Sequence, residues 1–238
     1  MYGGSFSLGR LMGVPLRVHV TWPLASAFVT FGMSVLYFPR HSGHWSPVLC
    51  WGLGASSCLL LYASLLGHEF AHTVAARRQR LVVDDITLFC FGGVTQIRHE
   101  PITPRDELAL AFAGPLASLS LGLFCSLLWW LTLPLSPALS ALLSYAAGLN
   151  LALMTFNLLP GVPLDGGRVV RALLWAASRR LDWATRWAGR LGLLVAACLF
   201  TLGVCWGVVW SPPKGVWVCL VGLFLAWTAR SRSLALQT

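Results

Sequence analysis

Residues 108–164 read LALAFAGPLASLSLGLFCSLLWWLTLPLSPALSALLSYAAGLNLALMTFNLLPGVPL, a stretch without one charged side chain. A helix needs about 20 apolar residues to cross the hydrocarbon core of a bilayer, so this stretch is long enough for two crossings. The prolines of residues 133–137 (LPLSP) supply a turn between them. We therefore expect an antiparallel pair of membrane helices here.

The rest of the chain has the same character. Of the 238 residues, 57% are hydrophobic and only 11% are charged, which excludes a soluble globular protein. We predict an all-α polytopic membrane protein, a single domain over residues 1–238, with about six transmembrane helices. The predicted spans are residues 18–38, 48–76, 108–133, 138–160, 191–210 and 215–229. The last is the shortest, and we expect it to form a tight hairpin with the fifth around Ser211–Pro213.

The net charge of +9 does not indicate nucleic acid as a partner, because the basic residues flank apolar runs. With a cytoplasmic N-terminus, every arginine and lysine except Arg40 and Lys214 falls on the cytoplasmic side. The positive-inside rule therefore predicts that both termini are cytoplasmic. The excess of arginine over lysine indicates a GC-rich genome, and we expect a bacterial protein of the inner membrane. Residues 25–27 (ASA) resemble a signal-peptide cleavage site, but the apolar run continues to Phe38, as a retained span would.

A β-rich segment separates the second and third spans. Residues 81–97 are rich in β-branched side chains and are split by the pair Gly92 and Gly93, which predicts a hairpin. Residues 14–20 show a similar alternation. We expect a small sheet near the cytoplasmic face.

Residues 68–72 read HEFAH within the second span. On a helix His68 and His72 share a face and can bind one metal ion, while Glu69 can act as general base toward a metal-bound water. Such a pattern also arises by chance in soluble proteins, but ionisable groups inside a membrane helix are costly and usually functional. At 1.5 Å per residue, His68 lies about 13 Å from Arg77, which places the ion within the hydrocarbon.

A catalytic zinc commonly has three protein ligands and one open position. Of the acidic residues, Asp165 alone follows an apolar span through a disrupted backbone, in residues 157–168 (NLLPGVPLDGGR). Irregular backbone is tolerated at membrane depth where it lines a cavity or packs in protein. The sequence therefore predicts one zinc ion held by His68, His72 and Asp165. The alternative is that Asp165 only caps a helix starting near Gly166.

Together these two motifs resemble the site-2 protease family of intramembrane zinc metalloproteases, whose pattern pairs H-E-x-x-H with a later N-x-x-P-x-x-x-x-D-G. The resemblance extends to residues 13–19 (GVPLRVH), 91–94 (FGGV) and 113–117 (AGPLA). It favours a compact form of the family, without PDZ-like or nucleotide-sensing domains.

The resemblance implies a role for each matching residue. His68, His72 and Asp165 would be zinc ligands and Glu69 the acid/base. Gly92 and Gly93 would belong to a re-entrant hairpin whose edge receives an extended transmembrane substrate; an ordinary turn is the alternative.

Two further positions remain open. Asn157 would assist near the site or hold substrate backbone, the alternative being a buried amide that bonds the broken helix. Ser118 stands where many relatives have asparagine, a difference expected to affect packing more than chemistry.

Two other function classes compete with the protease. A metal transporter would also place histidine and acidic ligands in helices, but it has no special use for Glu69 beside His68. A catalytically silent membrane scaffold would keep the fold, but it would not need both the ligands and the base, and all four residues are present.

Overall fold

The structure, a computed structural model, describes residues 4–41, 44–90, 92–161 and 163–235, with side chains up to Arg230. The helices are α1 (Trp22–Phe31), which continues through a π-helical segment (Gly32–Tyr37) into α2 (Phe38–His41), then α3 (Pro47–Arg78), α4 (Pro104–Thr132), α5 (Pro137–Asn157), α6 (Asp165–Ser178), α7 (Leu181–Val209) and α8 (Pro212–Ala235). The strands are β1 (Ser5–Leu11), β2 (Val14–His19), β3 (Val83–Phe89) and β4 (Gly92–Ile97).

The predicted fold class is confirmed. Among the described residues, six helices are long and apolar enough to cross a membrane. The chain forms two compact units: the first contains the chain up to Glu100 together with Ala113–Met154, and the second contains Pro101–Phe112 together with the chain from Thr155 onward.

Several predicted span limits differ from the bounds of the helices, and three of the differences have identifiable reasons. The first membrane helix begins at Trp22 rather than residue 18, because residues 18 and 19 belong to β2. Helix α7 begins at Leu181 rather than residue 191, because an amphipathic stretch continues the helix beyond its apolar part. Helix α8 begins at Pro212 and, as far as Arg230, provides 19 residues for a span, so the segment predicted to be shortest is long enough to cross.

Helix α3 is the longest element of the first unit. The side chain of Ser46 caps its N-terminus by accepting from the backbone N–H of Leu49, and Pro47 follows in the first turn. Its 32 residues extend over about 48 Å, which exceeds the roughly 30 Å hydrocarbon core. The helix ends after two arginines, and the left-handed backbone of Arg80 turns the chain towards β3.

The sheet has the order β1-β2-β3-β4, with β2 and β3 parallel and the two outer pairs antiparallel. The predicted hairpin and the strand at residues 14–20 are therefore confirmed, while β1 was missed. The glycine pair does not form the hairpin turn: Gly92 pairs with Phe89 and Gly93 with Leu88, so both glycines begin β4. Phe91 lies outside the described residues.

One face of the sheet packs on α3. Val18 of β2 and Leu88 of β3 form a buried cluster with Cys58, Tyr62 and Leu65 of α3. Leu65, the last of these residues, lies within one turn of His68 along α3. It places the sheet beside the half of α3 that carries the H-E-x-x-H motif.

The second unit contains the predicted break. Helix α5 ends at Asn157 and α6 begins at Asp165, so the proline- and glycine-rich residues between them are not helical. Helices α7 and α8 form the predicted hairpin. Small residues allow their close approach, since a Cβ on Gly203 or Gly215 would overlap the backbone of the facing helix.

Candidate metal and catalytic site

Two imidazoles meet on the buried face of α3. His68 and His72 are one helical turn apart, and only 3% and 5% of their surfaces are exposed. Their Nε2 atoms lie 3.3 Å apart. Two nitrogens bound to one tetrahedral zinc at about 2.0–2.1 Å would be separated by roughly 3.3–3.4 Å. The separation of the two nitrogens therefore matches that of two ligands on one zinc ion.

A glycine of α4 keeps the space in front of these nitrogens open. A Cβ on Gly114 would overlap the Nε2 atoms of both His68 and His72, and it would lie 2.7 Å from Cδ2 of His68. Real Cβ atoms essentially never approach another heavy atom within 3.0 Å. The site thus has, on its α4 side, a cradle that a single methyl group would fill.

Ser118 orients one of the imidazoles. Its Oγ lies 2.9 Å from Nδ1 of His68, and the residue is fully buried. A metal on Nε2 requires the proton on Nδ1, so in the ligating form His68 donates this hydrogen bond to Ser118. The expectation that serine at this position affects packing more than chemistry stays a prediction, and its hydroxyl contacts a predicted ligand.

The carboxylate of Glu69 is held from the sheet. Glu69 is 8% exposed, and its Oε2 accepts a hydrogen bond of 2.7 Å from Oγ1 of Thr95 on β4. A Cβ on Gly93 would lie 2.5 Å from Cγ of Glu69, so the missing side chain of Gly93 makes room for the glutamate. The predicted base is thereby buried beside the two histidines and fixed by a hydroxyl.

In the second unit, Asp165 is the first residue of α6. The N-cap position is occupied by Leu164, whose side chain makes no capping hydrogen bond. Asp165 is therefore not the N-cap residue of α6. Gly166 lets the first turn approach the preceding chain, because a Cβ there would overlap the carbonyl oxygens of Leu158 and Leu159.

The predicted ligands His68 and His72 belong to the first unit, and the predicted ligand Asp165 belongs to the second. Side chains of these types could hold a metal ion. Two imidazoles and one carboxylate are a donor set typical of catalytic zinc, which leaves a fourth position for water.

For the residues predicted to contact substrate, the structure gives their positions in the fold. Asn157 is the last residue of α5, directly before the break. Gly92 opens β4 with a φ of 148°, a conformation that favours glycine. Val162 of the motif that contains Asn157 lies outside the described residues. The substrate roles of Asn157, Gly92 and Gly93 stay predictions.

Comparison with known proteins identifies the family. The model of peptidase family M50 matches residues 56–136 and 134–199, which include both sequence motifs. The chain belongs to peptidase family M50. The resemblance to the site-2 proteases is confirmed by a solved structure, the site-2 protease from Methanocaldococcus jannaschii. That structure is 27% identical with a TM-score of 0.64, and the match covers 95% of this chain and 94% of the other.

Two curated M50-like relatives agree with this assignment. The chain is 39% identical over 233 residues to Rip3 of Mycobacterium tuberculosis, and 35% identical over 239 residues to sll0528 of Synechocystis; both are named as zinc metalloproteases. These matches cover 97% and 96% of this chain, but only 59% and 61% of the relatives. The chain thus spans about three fifths of the length of these relatives.

The sequence analysis assigned no role at the site to three residues that lie at it in the structure: Gly114, Ser118 and Thr95. Gly114 and Ser118 are four residues apart in an uncharged helix, so they share one face, and two small residues at this spacing are a signal for close contact with another helix. Thr95 follows Gly93 at the strand period of two, which puts both on the face that meets Glu69. No local pattern indicated that this face would meet α3.

Proposed function

We propose that this chain is an intramembrane zinc endopeptidase that hydrolyses peptide bonds of transmembrane proteins, and that its two units work as one protease domain. One observation carries the proposal: two buried imidazoles with Nε2 atoms 3.3 Å apart stand next to a buried glutamate, in a chain with six candidate spans. Buried ionisable groups at membrane depth are costly and are usually retained for function.

In this proposal His68, His72 and Asp165 hold the zinc ion. When bound, the ion supplies Lewis acidity, which polarises a carbonyl and makes water acidic enough to react near neutral pH. Ser118 keeps the proton of His68 on Nδ1, and Gly114 leaves the space that the ion needs. The protein therefore fixes the three donors, and it keeps side-chain atoms out of the space on the α4 side of the ion.

Glu69 acts as the general base and then as the general acid. It takes a proton from the attacking water and returns it to the nitrogen of the leaving amine. Its position next to His68 gives it reach to the reacting water rather than to the ion itself. Its burial keeps solvent away from the proton transfer.

The substrate reaches the site as an extended segment. A transmembrane helix hides its carbonyls in hydrogen bonds, so it must unwind locally before it is cut. Among the described strands, β4 lies at the end of the sheet order with β3 as its one neighbour. An added strand can form hydrogen bonds with the outer edge of β4. Gly92 and Gly93 at the start of β4, and the amide of Asn157, are the proposed contacts with substrate backbone.

We place the protein in the bacterial inner membrane with both termini in the cytoplasm, in contact with the lipid bilayer on all spans. The asymmetry of basic residues supports this orientation. Single cysteines introduced at Arg40 and at Arg179, in a cysteine-free background, should react with a membrane-impermeant maleimide from opposite sides. Labelling of both from the same side would reject the orientation.

The enzyme test uses purified chain in liposomes with a panel of fluorogenic single-span peptides. Each peptide carries an Asn-Gly or Gly-Pro pair at a different depth, because such pairs weaken the helix. The wild type should cleave at least one member within the span, and Glu69→Gln should not. Equal cleavage by both would reject the proposed base. Absence of cleavage, together with zinc uptake into the liposomes, would instead favour the transporter.

A further inference from the structure

Strand β4 contacts the carboxylate of Glu69 directly. Oγ1 of Thr95 lies 2.7 Å from Oε2 of Glu69 and 3.2 Å from the backbone oxygen of the same residue. A hydroxyl has only one proton to donate. The shorter contact is the stronger one, because hydrogen bonds to an ionised acceptor are shorter and about twice as strong as neutral ones.

The backbone oxygen of Glu69 does not need this proton. Oγ1 of Thr73, one turn further along α3, already donates to it at 3.1 Å. Thr73 is 1% exposed, so water does not compete for that bond. The proton of Thr95 is therefore available for the carboxylate.

We infer that Thr95 is a positioning residue for the reaction: its hydroxyl holds the carboxylate of Glu69 in the orientation that proton transfer requires. A glutamate side chain rotates about three bonds, and proton transfer succeeds only when the donor and acceptor are within hydrogen-bond reach. The bond from Thr95 selects one of these orientations before the substrate arrives. This inference rests on the proposed function.

The same strand both makes room for the base and holds it. Gly93 and Thr95 are two residues apart and so point to the same face of β4. Gly93 admits Cγ of Glu69, and Thr95 bonds its Oε2. A substrate strand added to the outer edge of β4 would pair in a register set by β4, the strand that also holds Glu69. That register would determine which peptide bond of the substrate lies at the site.

The test compares Thr95→Val, which keeps the shape and loses the hydroxyl, with Thr95→Ser, which keeps the hydroxyl. Against the cleaved member of the peptide panel, Thr95→Val should lower kcat by roughly 10- to 100-fold, the range for loss of a hydrogen bond to a charged group. KM and zinc content should not change, and Thr95→Ser should recover most of the rate. Thr132→Val is the matched control, because the Thr132 hydroxyl bonds only carbonyls of its own helix.

Glu69→Gln, measured beside Thr95→Val, separates this inference from the proposed function. If Glu69→Gln is inactive while Thr95→Val cleaves at the wild-type rate, the inference is overturned and the proposed function stands. If Glu69→Gln is fully active, the proposed function itself fails.

A second readout needs no substrate. The infrared carboxylate band of Glu69, assigned by subtraction of the Glu69→Gln spectrum, should shift in Thr95→Val and return in Thr95→Ser. A structural role for Thr95 elsewhere in the sheet would leave this band in place. An unchanged band in Thr95→Val would overturn the inference whatever the cleavage rates are.

Discussion

Replacing Gly114 by alanine should strongly weaken zinc binding while leaving the fold intact. The added methyl would occupy the cradle in front of the two imidazoles and overlap the Nε2 atoms of both His68 and His72. A carbon needs about 3.3 Å or more from a nitrogen it does not bond, so both rings would have to retreat by roughly 1 Å. Zinc sites tolerate deviations of only about 0.2 Å from their bond lengths.

The expected loss of zinc affinity follows from the displacement of the two rings, which is larger than the tolerance of the zinc bond lengths. Loss of a partner outside the ligand set typically weakens metal affinity 10- to 100-fold. Gly114→Ala displaces two ligands themselves, so we expect the zinc dissociation constant to rise by more than about 100-fold. The stability of α4 should not fall, because alanine is more favourable than glycine in a helix by about 1 kcal/mol.

The assay is competition for zinc between the purified protein and a fluorescent chelator, with bound zinc per chain measured by atomic emission. Gly52→Ala is the matched control, because it lies on α3 and a Cβ there meets nothing within 4 Å. It should bind zinc as the wild type does. If Gly114→Ala also kept one zinc per chain at wild-type affinity, the metal would not lie where the two Nε2 atoms converge.

Four further predictions concern the hydrogen bond of one ligand, two ion pairs and the metal. Ser118→Ala should weaken zinc affinity by about 10- to 100-fold in the same competition assay, since the Nδ1 proton of His68 loses its acceptor; unchanged affinity would contradict that role. Glu107→Gln should lower the free energy of unfolding in detergent by about 3–5 kcal/mol, because Glu107 is fully buried and paired with Arg171. Arg98→Gln, at the exposed pair with Asp84, should change it little. Removal of zinc by a chelator should stop peptide cleavage, leave the helical circular dichroism unchanged, and be reversed by added zinc; cleavage by a fully metal-free sample would contradict the metal's role.

The spans could be predicted from the sequence because their signal is local. Each apolar run is long enough for one crossing, and the prolines at 134 and 137 mark the turn between two of them. The predicted limits of the spans were less accurate where the hydropathy of a residue does not match its secondary structure. The stretch from Leu181 is helical although it is charged, and Val18 is apolar although it forms a strand.

The histidine pair could be predicted for the same reason. His68 and His72 share a face because of a spacing within one helix. Gly114 and Thr95 could not be predicted this way, since their roles depend on which face of α4 or β4 packs on α3. Such contacts are long-range, and no periodicity within either element reports them.

The central claim is that residue 165 shares a zinc ion with His68 and His72, and X-ray absorption at the zinc edge tests it most directly. The wild type should give a first shell of nitrogen and oxygen at about 2.0–2.2 Å with scattering from two imidazoles. In Asp165→Cys a sulfur should enter that shell at about 2.3 Å. A full zinc complement with an unchanged nitrogen and oxygen shell in Asp165→Cys would contradict the claim.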